Sequence, residues 1–251
     1  MSDECILETR GLTKEFKGFV AVNHVNLRIR RGTIHALIGP NGAGKTTCFN
    51  LLTKFLEPTA GTILYKGDDI TREKPSDIAR RGVIRSFQIS AVFPHLTVLE
   101  NVRVALQRRL GNSFHFWQSE RTLDALNDRA LELLHAVDLA SFADTVTVEL
   151  PYGRKRALEI ATTLAMDPEL MLLDEPTAGM AHEDVDRVTR LIESVARGRT
   201  VLMVEHNMSV VSGISHTITV LQRGAVLAEG PYAEVSKNPQ VMEAYMGTAH
   251  A

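Results

Sequence analysis

The chain contains little cysteine and has no excess of charge. Cysteine occurs only at Cys5 and Cys48 in 251 residues, outside any C-x-x-C or Cys/His ligand pattern. This argues against a disulfide framework or a cysteine-based zinc site, and it predicts a reducing, cytoplasmic setting. Lys and Arg number 28 against 30 Asp and Glu, giving a formal net charge of −2. Because no global positive field is available to attract nucleic acid, we expect no nucleic-acid partner.

Long hydrophobic runs are also missing. No apolar stretch approaches the roughly 18 residues needed to span a bilayer, and the acidic N-terminus lacks the basic and apolar regions of a secretory signal. If membranes matter to this protein, a partner is expected to supply the spanning part. The composition, 44% hydrophobic and 23% charged, is that of a globular protein with ample material for a core.

Short apolar runs alternate with helical patterns, which predicts an α/β domain on a largely parallel sheet. A buried strand is predicted at 34–38, followed by a Gly-rich turn and a helix over about 45–54. Two more buried strands are predicted at 170–173 and 200–204, with a helix over about 183–196 between them. These last three elements form a predicted β-α-β unit.

Two other regions follow different patterns. The first thirty residues and 61–70 contain short strands with Gly turns, which predicts a small antiparallel sheet. Between about 87 and 165 the strand signal disappears and apolar residues recur at helical spacing, at Leu123, Leu126, Ala130, Leu131, Leu134 and Val137. We therefore predict a single domain over 1–251, with about 87–165 as an inserted helical subdomain.

The strongest local signal is a glycine-rich loop between a predicted strand and a predicted helix. It matches G-x-x-x-x-G-K-[ST] and consists of Gly39-Pro40-Asn41-Gly42-Ala43-Gly44-Lys45-Thr46. Its glycines let backbone N–H groups turn toward phosphate oxygens, the helix N-terminus adds partial positive charge, and Lys45 adds a full charge. Thr46 is predicted to ligate Mg²⁺, which prefers oxygen ligands, and Thr47 is included in the predicted nucleotide site. The weaker alternative is a turn that only connects strand and helix.

Two adjacent acids follow the predicted strand at 170–173. Asp174 and Glu175 would be costly in a core unless a cation or hydrogen bonds compensated them. Because alternation along a strand points the two side chains in different directions, Asp174 can hold Mg²⁺ while Glu175 orients and polarises an attacking water. An isolated acidic strand end is usually a solvated turn, but the phosphate loop upstream favours hydrolysis. The sequence has no Asn-Lys-x-Asp element, which favours ATP over GTP.

Five short motifs follow one another in a specific order. They are the phosphate loop, Gln88 in Arg-Ser-Phe-Gln, Leu150-Pro151-Tyr152-Gly153-Arg154, Asp174-Glu175, and His206. Over nearly the whole chain, this set resembles the nucleotide-binding subunits of ATP-binding cassette transporters. The resemblance implies a P-loop NTPase (RecA-like) α/β core with an antiparallel β subdomain and an inserted α-helical subdomain. It also implies that two cassettes sandwich two ATP molecules, each site using one chain's phosphate loop and the other's signature segment.

The resemblance also implies roles for individual residues. Lys45, Glu175 and His206 form the expected catalytic set, in which His206 holds the γ-phosphate and helps position the water. Gln88 is expected to contact the γ-phosphate, the metal and the membrane partner, so that Thr46, Gln88 and Asp174 form the expected Mg²⁺ site. The family places an aromatic that stacks on adenine at Phe16; Phe19, or a plain core role for Phe16, are the alternatives.

The signature segment departs from the family's usual Leu-Ser-Gly-Gly-Gln. Pro151 lacks the serine hydroxyl, but proline is well tolerated in the first turn of a helix. Tyr152 and Gly153 are still expected to contact the partner's ATP, and positive charge nearby is expected from Arg154, Lys155 and Arg156. We expect a working but altered signature, with a purely structural helix start as the alternative. Ala181 replaces an aspartate of the family's next loop, so coupling between the two ATP sites is expected to be looser.

The signature and residues 93–102 resemble one branch of the family, the larger ATPase subunit of branched-chain amino acid importers. This implies ATP and Mg²⁺ as cofactors, a second ATPase subunit, two membrane permease subunits and, indirectly, a periplasmic or extracellular solute-binding protein. The expected location is the cytoplasmic face of the inner membrane. The alternatives are an importer of amides, urea or aromatic acids, a soluble cassette ATPase outside transport, and a small-molecule kinase, in which His206 and the signature would have no role.

Overall fold

The computed structural model describes residues 4–86, 92–110 and 125–246. The strands are β1 (Cys5–Phe16), β2 (Phe19–Val25), β3 (Arg28–Arg30), β4 (Ile34–Ile38), β5 (Ala60–Tyr65), β6 (Asp68–Asp69), β7 (Val83–Ser86), β8 (Leu170–Asp174), β9 (Thr200–Val204), β10 (Thr217–Gln222) and β11 (Ala225–Gly230). The helices are α1 (Lys45–Leu52), α2 (Pro75–Arg80), α3 (Val98–Leu110), α4 (Asn127–Ala136), α5 (Tyr152–Ala165), α6 (His182–Val195), α7 (Met208–Ile214), α8 (Tyr232–Val235) and α9 (Pro239–Met246). Across the described ranges, no helix is long and apolar enough to cross a membrane.

The central sheet has the strand order β11-β10-β4-β9-β8-β7. All neighbours pair in parallel except β10 and β11, which form an antiparallel hairpin. The carboxyl ends of β4, β8 and β9 therefore lie at one edge of the sheet, where ligands bind in open α/β folds. The phosphate loop follows β4, the acidic pair ends β8, and His206 comes just after β9.

A second, antiparallel sheet lies on one side of the first. Its order is β2-β1-β5-β6, and β3 pairs with the other part of β1. The predicted antiparallel region is therefore confirmed, since β1, β2 and β3 lie in the first thirty residues and β5 and β6 lie within 60–70.

The strands of the parallel sheet are buried on both faces, as continuous apolar runs predict. In β8, Met171 and Leu173 face the helices, whereas Leu170 and Leu172 face a second core beneath the antiparallel sheet. Helix α1 contributes to that second core. Each of these side chains is at most 1% exposed, and full burial of one such side chain contributes roughly 1.5–3 kcal/mol. The phosphate loop is thus held between two packed layers.

Helices α3, α4 and α5 pack against one another and form a helical lobe. Ala130 and Leu134, two of the periodic apolar positions, are fully buried in α4, whereas Leu123 lies outside the described residues. Within 92–110 and 125–165 no strand is formed, and Thr97 and Val146 make an isolated bridge. The lobe joins the sheet through α5, which packs against α6 and β7.

The predicted helix over 45–54 ends earlier in the structure, at Leu52. The Thr53 hydroxyl donates to the carbonyl of Phe49, and Lys54 adopts a left-handed conformation with φ 62°. Since a left-handed residue cannot continue a right-handed helix, the last two predicted residues form its C-terminal turn.

Candidate active site

The phosphate loop needs glycine at two positions for steric reasons. Gly44 precedes α1 with φ 97°, and a Cβ there would lie 2.5 Å from the carbonyl oxygen of Ala21 in β2. A Cβ on Gly39, at φ 150°, would collide with the carbonyl oxygen of Leu221. Side chains are therefore excluded where the loop passes β2 and β10. Helix α1 also starts without a side-chain cap, which leaves backbone N–H groups for an anion.

Lys45 lies inside the loop that precedes it. Its ammonium donates to the carbonyl oxygens of Gly39, at 2.8 Å, and Pro40, at 3.0 Å. Burial lowers the pKa of Lys45, while the negative charge of Glu175 acts in the opposite direction. The loop and the acidic strand end are therefore close enough to interact electrostatically. Thr46 is exposed and Thr47 half-buried in the first turn of α1.

Asp174 forms an ion pair with Arg85 that sequence analysis did not predict. Arg85 Nη2 lies 2.5 Å from Asp174 Oδ2, and Nη1 donates to Asn50 Oδ1 at 2.6 Å. The guanidinium also lies 5.9 Å from the ring centroids of Phe49 and Phe55. The Asp174 side chain is only 13% exposed, so it occupies an environment that requires a cation.

The oxygen atoms of Asp174 and Thr46 are suitable ligands for a magnesium ion. The Asp174 carboxylate and the exposed Thr46 hydroxyl are the hard oxygen ligands that Mg²⁺ prefers, and Mg²⁺ usually takes only one or two protein ligands beside phosphate and water. Among the described residues, no group of three or more His, Cys, Asp or Glu could hold a metal ion. The donor set therefore suits Mg²⁺ bound together with a nucleotide. Gln88, the third expected ligand, lies outside the described residues.

Glu175 and His206 face each other across the ends of β8 and β9. Glu175 Oε1 and His206 Nε2 are 2.8 Å apart, with the side chains 41% and 44% exposed. Glu175 has left-handed backbone geometry, φ 47°, a strain of about 1–3 kcal/mol for a residue other than glycine. Its N–H donates to the carbonyl of Val204 at 2.9 Å. The surrounding structure thus holds Glu175 away from the strand direction and against His206.

Glu205, the neighbour of His206, is buried and accepts two hydrogen bonds at this edge of the sheet. One of its oxygens accepts a hydrogen bond from the backbone N–H of His206 at 2.7 Å. Its other oxygen accepts from the hydroxyl of Thr177, in the loop after β8. A single carboxylate therefore links the segments that follow β8 and β9, and this fixes the position of Glu175 relative to His206.

The signature segment begins α5, with Pro151 at the N-cap and no side-chain cap. The Tyr152 hydroxyl donates to the carbonyl of Ala178 at 3.2 Å, which ties the signature to the loop after β8. Gly153 is buried, and a Cβ there would lie 2.8 Å from the carboxylate of Asp184 in α6. A negative charge of the same chain therefore lies beside the predicted phosphate contact, a feature the motif did not indicate.

The positively charged side chains beside the signature make contacts within the chain. The guanidinium of Arg154 lies 3.7 Å from the ring centroid of Phe142, and the Lys155 ammonium donates to the carbonyl of Val148 at 2.9 Å. The expectation for Arg156 was wrong, because this side chain is buried and pairs with Glu159. The helical period of α5 was the available signal, since Arg156 falls among buried apolar positions.

Phe16 is the last residue of β1, Phe19 is the first residue of β2, and the two are cross-strand partners at the turn of this hairpin. They are 42% and 67% exposed, so neither is a core residue. The hairpin lies beside the phosphate loop through the close approach of Ala21 to Gly44. Both rings are thus available near the loop, and the plain core alternative for Phe16 does not hold.

A glycine-rich phosphate loop after a central parallel strand, with an acidic strand end beside it, defines a P-loop nucleoside triphosphatase. Residues 22–178 match the family ABC transporter, and residues 225–251 match the family Branched-chain amino acid ATP-binding cassette transporter. The chain belongs to the ATP-binding cassette transporter family, whose nucleotide-binding subunits are ATPases. The predicted family and fold class are confirmed.

Named relatives resemble the chain over almost its full length. It is 41% identical to the high-affinity branched-chain amino acid transport ATP-binding protein BraF of Pseudomonas aeruginosa, covering 97% of this chain and 98% of that protein. It is 40% identical to LivG of Escherichia coli, with the same coverage. The ADP conformation of an ATP-binding cassette of an ABC transporter superimposes with a TM-score of 0.85 at 28% identity, covering 97% of this chain and 99% of that one.

Proposed function

We propose that this chain is the ATP-hydrolysing subunit of an importer of branched-chain or related amino acids. The observation that supports this most is the meeting of Lys45, Glu175 and His206 at the ends of β4, β8 and β9. This site lies in a chain that matches branched-chain amino acid transport ATP-binding proteins over nearly its whole length. It provides a cation for phosphate, a base for water and an imidazole beside that base.

The triphosphate binds to the loop over 39–47. The Lys45 ammonium exchanges the Gly39 and Pro40 carbonyls, which it contacts at 2.8 and 3.0 Å, for phosphate oxygens that carry full negative charge. The bonds to the carbonyls are already charge-assisted, because the ammonium is ionised. The phosphates add attraction between two opposite charges. The remaining loop residues, Asn41, Gly42 and Ala43 with Thr46 and Thr47 of α1, contribute N–H groups and hydroxyls. We assign adenine to Phe16, with Phe19 as the alternative.

A magnesium ion would be held by Thr46 and Asp174, with Gln88 as the further ligand that the family resemblance implies. When bound, it would neutralise the negative charge on the phosphates. The Arg85 guanidinium pairs with Asp174 at 2.5 Å and so orients this carboxylate. The role proposed for Arg85 is to hold the metal-binding carboxylate in position.

Hydrolysis follows from the position of Glu175. Its carboxylate accepts a proton from a water molecule as the water oxygen attacks the γ-phosphorus, and the bond to the β–γ bridging oxygen breaks to leave ADP and inorganic phosphate. His206, 2.8 Å from Glu175, keeps the carboxylate directed toward that water and holds a γ-phosphate oxygen. Water is the acceptor of the γ-phosphoryl group, so this reaction phosphorylates no metabolite.

The remaining partners follow from the transporter role. A second ATPase subunit, a copy or a paralogue, would close over the nucleotide with its own signature, and Tyr152 and Gly153 would contact the nucleotide of that partner. Two permease subunits would bind near Gln88 at the cytoplasmic face of the membrane, and a solute-binding protein would deliver the solute. The helical lobe, with about 87–165 as its proposed extent, would carry the signature toward the partner's ATP.

The test is ATP hydrolysis by the complete transporter in lipid vesicles, in the presence of its solute-binding protein. We expect leucine, isoleucine or valine to stimulate release of inorganic phosphate severalfold. Amides, urea and aromatic acids serve as alternative solutes. Stimulation by one of these alone would replace the proposed solute while leaving the ATPase assignment intact. Transfer of the γ-phosphate to a metabolite instead of water would contradict the ATPase assignment itself.

A further inference from the structure

Arg156 is a buried cation in the signature helix α5. The residue is only 4% exposed, and Nη1 lies 2.5 Å from Glu159 Oε2 one turn later in the same helix. A charged group is retained in such a place only when its donors are satisfied. Burial raises the pKa of Glu159 to about 7, while Arg156 and the Ser86 hydroxyl act to lower it. Arg156 thus offsets part of the cost of burying this carboxyl.

The other donors of Arg156 bind the backbone on both sides of Glu175. Nη2 donates to the carbonyl oxygen of Asp174 at 2.7 Å, and Nε donates to that of Pro176 at 3.3 Å. The residue between these two carbonyls has the left-handed backbone noted above, with φ 47°. One planar guanidinium therefore bridges a strained residue, and its fixed fork of donors is suited to two acceptors at once.

We propose that Arg156 is a positioning residue for hydrolysis, which holds the backbone around Glu175 so that this carboxylate stays directed at the attacking water. The proposal rests on the proposed function of Glu175 as the general base. Arg156 belongs to the helical lobe, whereas its backbone acceptors, Asp174 and Pro176, lie at the end of β8 and in the loop that follows it. Movement of the lobe is therefore transmitted to Glu175 through this guanidinium. The Arg156 side chain hydrogen-bonds to Asp174, Pro176 and Glu159, and none of these three residues belongs to the phosphate loop.

The test compares Arg156→Lys and Arg156→Gln with the parent in the assembled transporter. Lysine keeps the charge but presents one compact ammonium, which cannot serve Glu159 and both carbonyls together. We expect kcat for ATP hydrolysis to fall about 10-fold to 100-fold, as for a misplacement of about 1 Å in a catalytic group, with the glutamine variant lower than the lysine variant. The KM for ATP and the Kd of the isolated chain for ATP should change by less than about twofold, because the phosphate loop is untouched.

A double-mutant cycle with Glu175→Gln distinguishes positioning from general support of the fold. If Arg156 acts through Glu175, then Arg156→Lys should change the slow residual turnover of the Glu175→Gln transporter by less than about twofold. The matched control is Arg129→Lys in α4, since Arg129 and Glu132 form the same i, i+3 pair at 2.7 Å but lie on the surface. Ile160→Val controls for loosened packing in α5, where Ile160 is 1% exposed. Both controls should keep the parent kcat.

Three results would overturn the proposal. They are a normal kcat in Arg156→Lys, an equal loss of rate in the Glu175→Gln background, and a loss of ATP affinity or of folding in step with turnover, which would show a purely structural role. A normal rate in Glu175→Gln alone would instead remove the proposed general base. The failure of that assignment is therefore distinguishable from the failure of the positioning role.

Discussion

His35, in the strand that leads into the phosphate loop, should make the fold sensitive to acid. The residue is 1% exposed, and its Nε2 lies 2.8 Å from the hydroxyl oxygen of Thr219 in β10. That hydroxyl donates its own proton to Glu229 at 2.6 Å, so Nε2 of His35 must be the donor to Thr219. Protonation of His35 would add a second proton, and with it a positive charge, to a buried imidazole ring.

Burial lowers the pKa of His35 from 6.5 to about 4. Because the folded-state pKa is below the unfolded one, the unfolded chain binds more protons between these values, and stability falls as the pH falls from about 6.5 to about 4. At about 1.4 kcal/mol per pH unit, the two pKa values correspond to a loss of about 3 kcal/mol. This is a large share of the 5–15 kcal/mol by which a typical domain is stable.

The assay is urea unfolding of the isolated chain, followed by circular dichroism at pH 7.5, 6.0, 5.0 and 4.0, for the parent and His35→Gln. The glutamine amide can still donate to Thr219 but does not titrate, so the parent should lose about 3 kcal/mol more stability than the variant over this range. His95→Gln, which removes an exposed histidine, should behave like the parent. An identical pH dependence in the parent and His35→Gln would refute the reasoning.

Three further predictions concern the phosphate loop, the adenine contact and the signature segment. Lys45→Ala should nearly abolish ATP binding, because it removes the cation inside the loop; unchanged affinity by isothermal calorimetry would refute the phosphate-loop assignment. Phe16→Ala should weaken ATP binding by about 5-fold to more than 100-fold, from a stacking contribution of about 1–3 kcal/mol, and Phe19→Ala should not; the reverse result would move adenine to Phe19. Gly153→Asp should sharply reduce ATPase activity of the assembled transporter but spare ATP binding by the isolated chain. Added to Gly153→Asp, Asp184→Asn should relieve only the repulsion between these two carboxylates of the same chain. Full activity of Gly153→Asp would show that this surface does not close over ATP.

Local pattern was sufficient to predict the elements that carry the site. The apolar runs of β4, β8 and β9 and the spacing of the phosphate loop depend on residues close in sequence, and the structure has them at the predicted places. The acidic pair at the end of β8 predicts a cation site, because carboxylates at the end of a buried strand require a compensating charge. That cation was expected to be Mg²⁺, and in this structure Asp174 is paired with Arg85.

The contacts that sequence analysis missed join residues far apart in the chain. Arg85 and Asp174 meet because β7 and β8 are neighbours in the sheet. Arg156 reaches the end of β8 because α5 packs against β7, the strand beside it. Such pairings depend on strand order and on the angle of a helix, which no spacing within a motif specifies. The run Arg154-Lys155-Arg156 indicates only positive charge, whereas the burial of Arg156 depends on the face of α5 that meets the sheet.

The most direct test of transport driven by this site is leucine uptake by vesicles that contain the assembled transporter, with ATP on the cassette side. The parent should concentrate radiolabelled leucine. Glu175→Gln should bind ATP with normal affinity but lose uptake and ATP hydrolysis together by about 10² to 10⁴, the usual range for loss of a positioned base. Uptake at the parent rate by the Glu175→Gln transporter would contradict the account, because hydrolysis at this carboxylate would then not be the source of energy for transport.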